Sequence, residues 1–305
     1  MASTIRNILH LLRIRQYYKN GLIFVGIFFS ERLFDFSLYF SLIIGFILLC
    51  CSSSFNYIVN DLRDIENDKL HKEKIRKKPL ASGEISRTSA VILLILLALI
   101  IVFGIVFLIP NLMFTFMLLA IVITGQTYNL LFKFYAFIDI LVLSTGYLWR
   151  ALAGCALINE YVSAWLFLAI FEVAMFLSIA KRKGDLIYLG KEKAVEHKKV
   201  YSQYSPNLLN QFHTIIATSL FMTYALYLIL KFNLLEPETV NFNEYIAIFT
   251  IPISLYIIMR YLYLTSSKPE IARKAEIALF DKGIIIAGIC LIITLFWSFY
   301  SDILI

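Results

Sequence analysis

Long apolar segments recur along the chain, and each is long enough to cross the hydrocarbon core of a bilayer. Of the 305 residues, 60% are hydrophobic and the mean hydropathy is +0.78, which is above the apolar share of a soluble domain. Because lipid offers no partner to a free backbone group, these segments predict an all-α, polytopic membrane protein. Nine transmembrane helices are expected, at about Arg15–Leu33, Ser37–Asn60, Thr88–Ile109, Leu112–Leu131, Ala136–Leu157, Val162–Ala180, Leu208–Lys231, Tyr245–Leu264 and Lys282–Tyr300.

The positive charges are distributed unevenly between the two ends of these helices. The N-terminal tail and the loops after the second, fourth, sixth and eighth spans carry most of the 28 Lys and Arg residues. The positive-inside rule therefore places the N-terminus and the two longest loops, Asp61–Arg87 and Lys181–Pro206, on the cytoplasmic side of the cell membrane. The net charge of +7 mostly reflects this asymmetry, so it does not indicate nucleic-acid binding. We expect a single transmembrane domain over residues 1–305, with its helices around a central polar cavity.

An acidic motif opens the first of these loops, where the second apolar segment ends. On a helix, Asp61, Asp64 and Asp68 have the spacing i, i+3, i+7 and point to one side. Three carboxylates on one face repel each other unless a cation lies between them. Mg²⁺ takes oxygen ligands and keeps positions open for substrate phosphates. The motif thus predicts a Mg²⁺ site made by these three residues and Asn60, and the alternative is a solvated, charged helix end.

Local signals in the two loops indicate where their helices begin and end. The second helix is expected to continue beyond the apolar segment through His71, and Pro79 ends any helix in the basic run that follows. Ser86 or Thr88 is expected to cap the third span. Gly184 is expected to stop the helix of the sixth span.

Cations beside the acidic motif suit a phosphorylated substrate, because Lys and Arg neutralise the phosphate charge that a metal leaves. In the first loop the candidates are Lys74, Lys77 and Lys78. The alternative for each of them is the ordinary positive charge of a cytoplasmic loop.

Charged groups inside the spans are more informative, since a charge in the bilayer usually faces a cavity or a partner. Arg150 lies well inside the fifth span, eleven residues after Asp139, and both are expected to face the central polar cavity. Tyr128, near the end of the fourth span, and Lys19, at the start of the first, are expected to reach the same region. A structural ion pair of Arg150, with Glu172 as the candidate partner, is the alternative.

The sequence Asn60-Asp61-x-x-Asp64-x-x-x-Asp68, followed by a basic segment, Pro79 and Ala81-Ser82-Gly83, resembles the first motif of the UbiA superfamily of intramembrane prenyltransferases. Most members carry a second Asp-rich motif after the sixth span, and the two motifs together hold two Mg²⁺ ions around a prenyl diphosphate. This chain has Lys181-Arg182-Lys183-Gly184-Asp185 at that place, which is similar to the branch of decaprenyl-phosphate phosphoribosyltransferases. Other features similar to this branch are Gln16-x-x-Lys19-Asn20, Tyr128, Asp139, Tyr147-x-x-Arg150-Ala151-x-Ala153-Gly154 and Pro269-Glu270.

Two departures from the pattern of the branch concern the phosphate-binding residues. The segment between Asp68 and Pro79 is one residue longer than usual, and Lys78 stands where an Arg normally precedes that proline. Asp185 replaces the Glu that usually follows the Lys-Arg pair.

The resemblance implies transfer of a phosphoribosyl group from phosphoribosyl pyrophosphate to a polyprenyl phosphate, with Mg²⁺ as cofactor and pyrophosphate as the second product. The implied metal ligands are Asn60, Asp61, Asp64 and Asp68. The implied phosphate-binding residues are Lys19, Asn60, Lys74, Lys77, Lys78, Tyr128, Arg150, Lys181 and Arg182.

Two other functions remain open at this stage. Prenyl transfer from a prenyl diphosphate predicts a second carboxylate cluster, which the sequence lacks. A transporter or lipid-binding protein would explain Arg150 and Asp139 inside the span, but it would leave the acidic motif unexplained.

Overall fold

The computed structural model describes residues 2–304 except 70–74, 76–77, 162, 236–240, 274 and 279. All secondary structure in this part of the chain is helical, which confirms the all-α prediction. The α-helices in chain order are α1 (Ala2–Leu11), α2 (Val25–Phe29), α3 (Tyr39–Arg63), α4 (Ile65–Lys69), α5 (Arg87–Phe103), α6 (Leu112–Leu130), α7 (Ile138–Ile158), α8 (Ala164–Leu189), α9 (Lys191–His197), α10 (Pro206–Lys231), α11 (Phe242–Tyr245), α12 (Thr250–Ser267), α13 (Pro269–Arg273), α14 (Ala275–Ala278) and α15 (Lys282–Leu304).

Eight helical segments of the described chain are long and apolar enough to cross a membrane. They correspond to the second to ninth predicted spans, so the multi-pass membrane architecture is confirmed. Their bounds are Phe36–Arg63, Arg87–Leu108, Leu112–Leu130, Ile138–Ile158, Ala164–Leu189, Pro206–Lys231, Ile246–Ser267 and Lys282–Ser301.

The first predicted span has a different structure from the other eight. A 3₁₀ helix covers Ile14–Phe24 and the five-residue helix α2 follows it directly. Polar side chains hold this segment against α3: the Tyr17 hydroxyl lies 2.7 Å from Ser54 Oγ, and Asn20 lies 3.2 Å from the Cys50 sulfur. The segment is therefore bound to its neighbour by polar contacts rather than by apolar packing alone.

Serine side chains set the first residue of two long helices. Ser86 accepts a hydrogen bond from the backbone N–H of Ser89, so it is the cap of α5, as one of the two predicted possibilities stated. Ser205 does the same for α10 and is followed by Pro206, whose fixed φ suits the first helical position.

The prediction that Gly184 ends the sixth-span helix is wrong. Helix α8 continues to Leu189, and Gly190, with φ of 75°, follows its last residue. The helix continues because the residues after Gly184 are packed: Asp185 and Leu186 are both buried, and Asp185 is hydrogen-bonded at both carboxylate oxygens. Tertiary packing here outweighs the weak helix propensity of glycine.

The acidic motif lies where α3 passes into the short helix α4. Asp64 separates the two helices, but its N–H donates to the Asn60 carbonyl over 3.0 Å, and the N–H of Asp68 donates to the Asp64 carbonyl over 2.8 Å. The chain thus keeps a helical course through the motif. The predicted continuation to His71 lies outside the described residues, and Pro79 lies in a turn, as expected.

The chain separates into two compact units. Unit 1 comprises Met1–Leu130 and Gly146–Tyr161, and unit 2 comprises Leu131–Thr145 and Val162–Ile305. Apolar side chains of α3, α6 and the end of α7 form the core of unit 1. In unit 2, side chains of α8, α10 and α12 form one cluster, and a second cluster lies beneath α9 and the following 3₁₀ turn. The expectation of a single domain stays a prediction.

Gly154 of α7 lies very close to the backbone of the 3₁₀ segment in unit 1. A Cβ atom at this position would lie 1.9 Å from the carbonyl oxygen of Ile23, which no real contact allows. Only glycine therefore lets α7 approach the 3₁₀ segment, a use of small residues that is common between membrane helices.

Candidate functional site

In unit 1 two carboxylates of the acidic motif converge on one cation. Asp61 and Asp68 are both buried. The Lys78 ammonium lies 2.9 Å from Asp61 Oδ1 and 2.5 Å from Asp68 Oδ2. These two aspartates, seven residues apart, thus face the same side, as their helical spacing predicted.

A second cation reaches the same carboxylate from the N-terminal segment. The Arg13 guanidinium donates to Asp61 Oδ1 over 2.9 Å and lies 4.4 Å from the centre of the Tyr57 ring. Arg13 has a left-handed backbone, with φ of 54°, just before the 3₁₀ helix. This turn in the chain brings its side chain to the acidic motif.

The charge of Lys78 is maintained by its carboxylate partners. Burial by itself would lower the pKa of Lys78, but the opposite charges and hydrogen bonds of Asp61 and Asp68 outweigh this effect and raise it. Lys78 is therefore a full cation at neutral pH, and it occupies the position of a positive ion between two buried carboxylates.

The donor atoms around this position suit a hard divalent cation. In the part of the chain that the structure describes, no three Asp, Glu, His or Cys side chains are arranged as a preformed metal cluster. Mg²⁺, however, is commonly bound by one or two carboxylates together with substrate phosphates and water. The pair of Asp61 and Asp68 fits that requirement, and both carboxylates already contact one cation, the Lys78 ammonium.

The other predicted residues of the first loop are placed only in part. Asp64 and Asn60 are partly buried at the junction of α3 and α4. Lys74 and Lys77 lie outside the described residues, so their phosphate-binding role stays a prediction.

Arg150 lies in a polar cluster inside unit 1. Its Nε donates to Asn20 Oδ1 over 2.7 Å and one of its terminal nitrogens donates to Ser53 Oγ over 3.3 Å. A further nitrogen donates to the Gly146 carbonyl. All these acceptors are neutral, so they orient the guanidinium without cancelling its charge.

Lys19 and Tyr128 belong to the same unit. Lys19 is half-buried, and its ammonium lies 3.3 Å from Gln16 Oε1 and 5.9 Å from the centre of the Tyr18 ring. Tyr128 is partly buried near the end of α6. Hydrogen bonds thus join Lys19 to Gln16 within this motif and Asn20 of the motif to Arg150.

In unit 2, Arg182 and Asp139 form a buried ion pair. Arg182 Nη2 lies 2.6 Å from Asp139 Oδ2, and Tyr204 donates its hydroxyl to the other carboxylate oxygen over 2.6 Å. Burial, and then this bond to Asp139, raise the pKa of Tyr204 well above its usual value. The arrangement gives Asp139 a structural contact and neutralises Arg182, and a position of Asp139 facing the central cavity stays a prediction.

Asp185, the carboxylate closest in sequence to the Lys-Arg pair, is also neutralised. Tyr201 donates its hydroxyl to one oxygen over 2.6 Å, and Arg273 donates to the other over 2.8 Å. Arg273 also lies 4.5 Å from the centre of the Tyr188 ring. Asp185 thus links α8 to the following 3₁₀ turn and to α13.

Two lysines of unit 2 keep their charge for another partner. Lys181 is exposed on α8, eight residues before the end of the helix. Lys198 is exposed as a whole residue, but desolvation of its ammonium and then the like charges of Arg182 and Lys181 lower its pKa to about 8. The opposite charges of Asp185 and Asp139 counter this shift only in part.

Sequence reasoning missed Arg13 and Lys198. Arg13 lies in the N-terminal tail, three residues before Gln16 and next to the motif that contains Lys19. Lys198 lies in the second long loop, among other lysines. Charge alone does not separate either residue from its neighbours, because the contacts that define them join parts of the chain far apart in sequence.

Comparison with known proteins adds to this geometry. The sequence model described as the UbiA prenyltransferase family matches residues 21–280. A decaprenyl-phosphate phosphoribosyltransferase of Corynebacterium glutamicum is 28% identical over 222 residues, which cover 71% of this chain and 65% of that protein. Its counterpart in Mycolicibacterium smegmatis is 30% identical over 185 residues, 60% of this chain and 57% of that protein. The chain thus matches less than two thirds of the length of either relative.

Among solved structures, a UbiA homologue from Archaeoglobus fulgidus, bound to DMAPP and Mg²⁺, superposes with a TM-score of 0.69. The superposition covers 96% of this chain and 98% of that one at 18% sequence identity. At this identity the likeness concerns the fold.

Proposed function

The chain belongs to the UbiA prenyltransferase family, and from that premise we propose that it transfers a 5-phosphoribosyl group from phosphoribosyl pyrophosphate to a polyprenyl phosphate. Membership makes the chain a multi-pass membrane transferase. The names of the two bacterial relatives support the phosphoribosyl donor and the lipid phosphate acceptor.

One observation carries the choice of donor: in unit 1 two carboxylates converge on one cation position, whereas the carboxylates around the Lys181-Arg182 pair are bound by arginines. In unit 1, Asp61 and Asp68 converge on a single cation position. In unit 2, Asp139 and Asp185 are each paired with an arginine, while Lys181 and Lys198 remain available. A donor with a pyrophosphate and a further phosphate suits one metal-binding pair together with several lysines. Two metal-binding clusters would suit a prenyl diphosphate.

The chemistry requires positioning and charge neutralisation rather than a strong base. An oxygen of the lipid phosphate forms a bond to C1 of the ribose, and the bond from C1 to the pyrophosphate oxygen breaks. The attacking oxygen is already anionic at neutral pH, so no side chain must remove a proton. We propose that Asp61, Asp64, Asp68 and Asn60 hold Mg²⁺, which when bound supplies positive charge to the departing pyrophosphate.

Cationic side chains supply the remaining stabilisation. We propose that Lys19, Lys78 and Lys181 contact substrate phosphates, with Lys74 and Lys77 of the first loop in the same role. Arg150, held by neutral acceptors and aided by Tyr128, would orient the acceptor phosphate. The loops that carry these residues are proposed to lie on the cytoplasmic side, where the positive-inside rule places them.

A transfer assay with purified protein in lipid nanodiscs tests the proposal. Radiolabelled phosphoribosyl pyrophosphate, a polyprenyl phosphate and Mg²⁺ are expected to give a labelled lipid. The product should disappear when Mg²⁺ is chelated, when the acceptor is omitted, or in the Asp61→Asn variant. Glu66→Gln, which changes an exposed acid on α4, should retain activity.

The same preparation separates the main alternative. Geranyl diphosphate with an aromatic acceptor is offered in place of the two proposed substrates. Product from this pair, without any from phosphoribosyl pyrophosphate, would overturn the proposed function in favour of prenyl transfer. Product from neither pair, in protein that remains folded, would also contradict it.

A further inference from the structure

Three polar side chains lie in the interior of unit 2 without a partner among the described residues. They are Lys183 on α8, His213 on α10 and Tyr261 on α12, and their exposed fractions are 6%, 1% and 5%. Both ring nitrogens of His213 and the hydroxyl of Tyr261 are buried without a hydrogen bond in this part of the chain. Burying such groups without partners costs free energy, so their presence together indicates a ligand.

The three residues lie at one depth. Lys183 is six residues before the end of α8, His213 is seven residues after the start of α10, and Tyr261 is six residues before the end of α12. At the rise of an α-helix these positions are roughly 9–10 Å from the corresponding helix ends. The successive spans α8, α10 and α12 cross the membrane in alternating directions. The end of α8, the start of α10 and the end of α12 therefore lie on the same side of the membrane.

An aromatic ring packs against two of the three residues. The Phe176 ring centre lies 4.3 Å from that of His213 and 5.0 Å from that of Tyr261, and the latter two are 6.4 Å apart. Lys183 is close enough to His213 to act on it electrostatically. Phe176, seven residues before Lys183 on α8, covers the group from the deeper side.

No carboxylate of unit 2 forms an ion pair with Lys183 in the part of the chain that the structure describes. Asp185 is paired with Arg273 and Tyr201. Glu172 accepts a hydrogen bond from Ser219 and lies eleven residues before Lys183 on α8, which is roughly 16 Å further from the end of the helix. A lysine that is only 6% exposed and has no carboxylate partner among the described residues is unusual within a membrane span and indicates function.

We propose that Lys183, His213 and Tyr261 form a binding site for a phosphate monoester anion. The ammonium supplies charge and up to three donors, and the tyrosine hydroxyl and the histidine ring supply one more each. This donor set suits the terminal oxygens of a phosphate. The anion arrives either as the head of a lipid that enters from the bilayer or as soluble phosphate. The site is inferred from the interior of unit 2 alone and does not rest on the proposed phosphoribosyl transfer.

Binding measurements in phosphatidylcholine nanodiscs test the site without a sugar donor or Mg²⁺. Radiolabelled phosphatidic acid and radiolabelled inorganic phosphate are the two probes. Wild-type protein should bind at least one of them, and Lys183→Met should weaken that binding about tenfold or more. Tyr261→Phe should weaken it severalfold, and Lys193→Met, at an exposed position on α9, should leave it unchanged. Binding of phosphatidic acid alone identifies a lipid source, and binding of phosphate alone identifies a soluble one.

Thermal denaturation distinguishes a ligand site from a structural contact. Without ligand, Lys183→Met should denature at the same temperature as wild type or higher, because it removes an unpaired buried charge. With ligand, only wild-type protein should gain stability. The proposal would be overturned if neither probe binds wild type, if Lys183→Met binds as tightly as wild type, or if that variant is less stable in the absence of ligand.

Discussion

Arg182 and Asp139 form a salt bridge of 2.6 Å between side chains that are only 4% and 1% exposed. A buried arginine with its own carboxylate has little charge to offer a substrate. Its neighbour Lys181 is exposed on the same helix. The two adjacent cations, which the sequence presents as one pair, therefore have different surroundings, and this difference favours a structural role for Arg182.

Replacing Arg182 with Met should destabilise the fold. Asp139 would remain buried without its cation, and loss of one partner from a buried pair costs about 3–5 kcal/mol. We expect a clear fall in the midpoint of thermal denaturation in detergent. Arg182→Met combined with Asp139→Asn should recover much of the loss, because both charges are removed while Tyr204 keeps an acceptor.

Lys181→Met provides the matched comparison. Its denaturation midpoint should equal that of wild type, while KM for phosphoribosyl pyrophosphate should rise about tenfold because a phosphate contact is lost. Equal stability of Arg182→Met and wild type, with activity lost, would contradict the structural role and assign Arg182 to substrate binding.

Asp68→Asn should reduce turnover while the protein stays folded. Lys78 would keep its contact with Asp61, so the local charge remains compensated. The carboxylate pair that fits Mg²⁺ would be broken, and we expect kcat to fall by about 100-fold or more, with a higher Mg²⁺ concentration needed for half-maximal activity. Titration of activity with Mg²⁺ measures both effects.

Glu66→Gln is the control for this change. Glu66 lies on the same short helix but is exposed, and it contacts Arg87 at the surface. It should show the Mg²⁺ dependence of wild type. An Asp68→Asn enzyme with unaltered kcat and Mg²⁺ requirement would remove Asp68 from the metal site.

The pH dependence of donor binding should reveal Lys198. Its pKa is lowered to about 8 by desolvation and by Arg182 and Lys181. The charged form that attracts phosphate therefore predominates below about pH 8 and is lost as the pH rises through that value. The same shift disfavours the charged form of Lys198 in the folded state. The contribution of Lys198 to the stability of the ligand-free protein therefore increases as the pH rises from about 8 toward the pKa of 10.5 that lysine has in the unfolded chain. We expect kcat/KM for the donor to fall above about pH 8.

Lys198→Arg tests the assignment, because a guanidinium keeps its charge throughout this range. The variant should retain donor binding to higher pH, and Lys198→Met should bind the donor weakly at every pH. A pH profile that is the same in all three proteins would show that another group titrates.

Hydropathy was sufficient to predict the eight long helices, because a bilayer imposes their length and apolar composition. It was insufficient for Ile14–Phe24, whose 3₁₀ geometry accompanies hydrogen bonds to side chains of α3. The stop predicted at Gly184 was wrong for a similar reason, since contacts of Asp185 with distant residues keep α8 intact.

The candidate site was predictable to the extent that it is local in sequence. Asp61 and Asp68 are seven residues apart, so helical spacing alone placed them on one face. The contact of Arg13 with Asp61 spans 48 residues, and that of Arg182 with Asp139 spans 43. Charge patterns give no information on such pairing, because it depends on how the helices pack.

The contact between Gly154 and the Ile23 carbonyl gives the last prediction. Gly154→Ala would place a methyl group 1.9 Å from a backbone oxygen, which cannot move aside by a change of side-chain rotamer. Overpacking of this kind costs about 1–3 kcal/mol or more, so we expect a lower denaturation midpoint. Separation of α7 from the 3₁₀ segment would also lengthen the bond from Arg150, one turn earlier, to Asn20. Transfer activity should therefore fall further than stability alone explains.

Gly288→Ala is the matched control, because a Cβ atom at that position in α15 would meet nothing within 4 Å. It should leave activity unchanged and should stabilise the helix by up to about 1 kcal/mol. Denaturation midpoints and transfer rates of the two variants, measured side by side, decide the matter. If Gly154→Ala matched Gly288→Ala in both, then α7 and the 3₁₀ segment would not approach as closely as the structure shows, and Arg150 would not depend on that approach for its position.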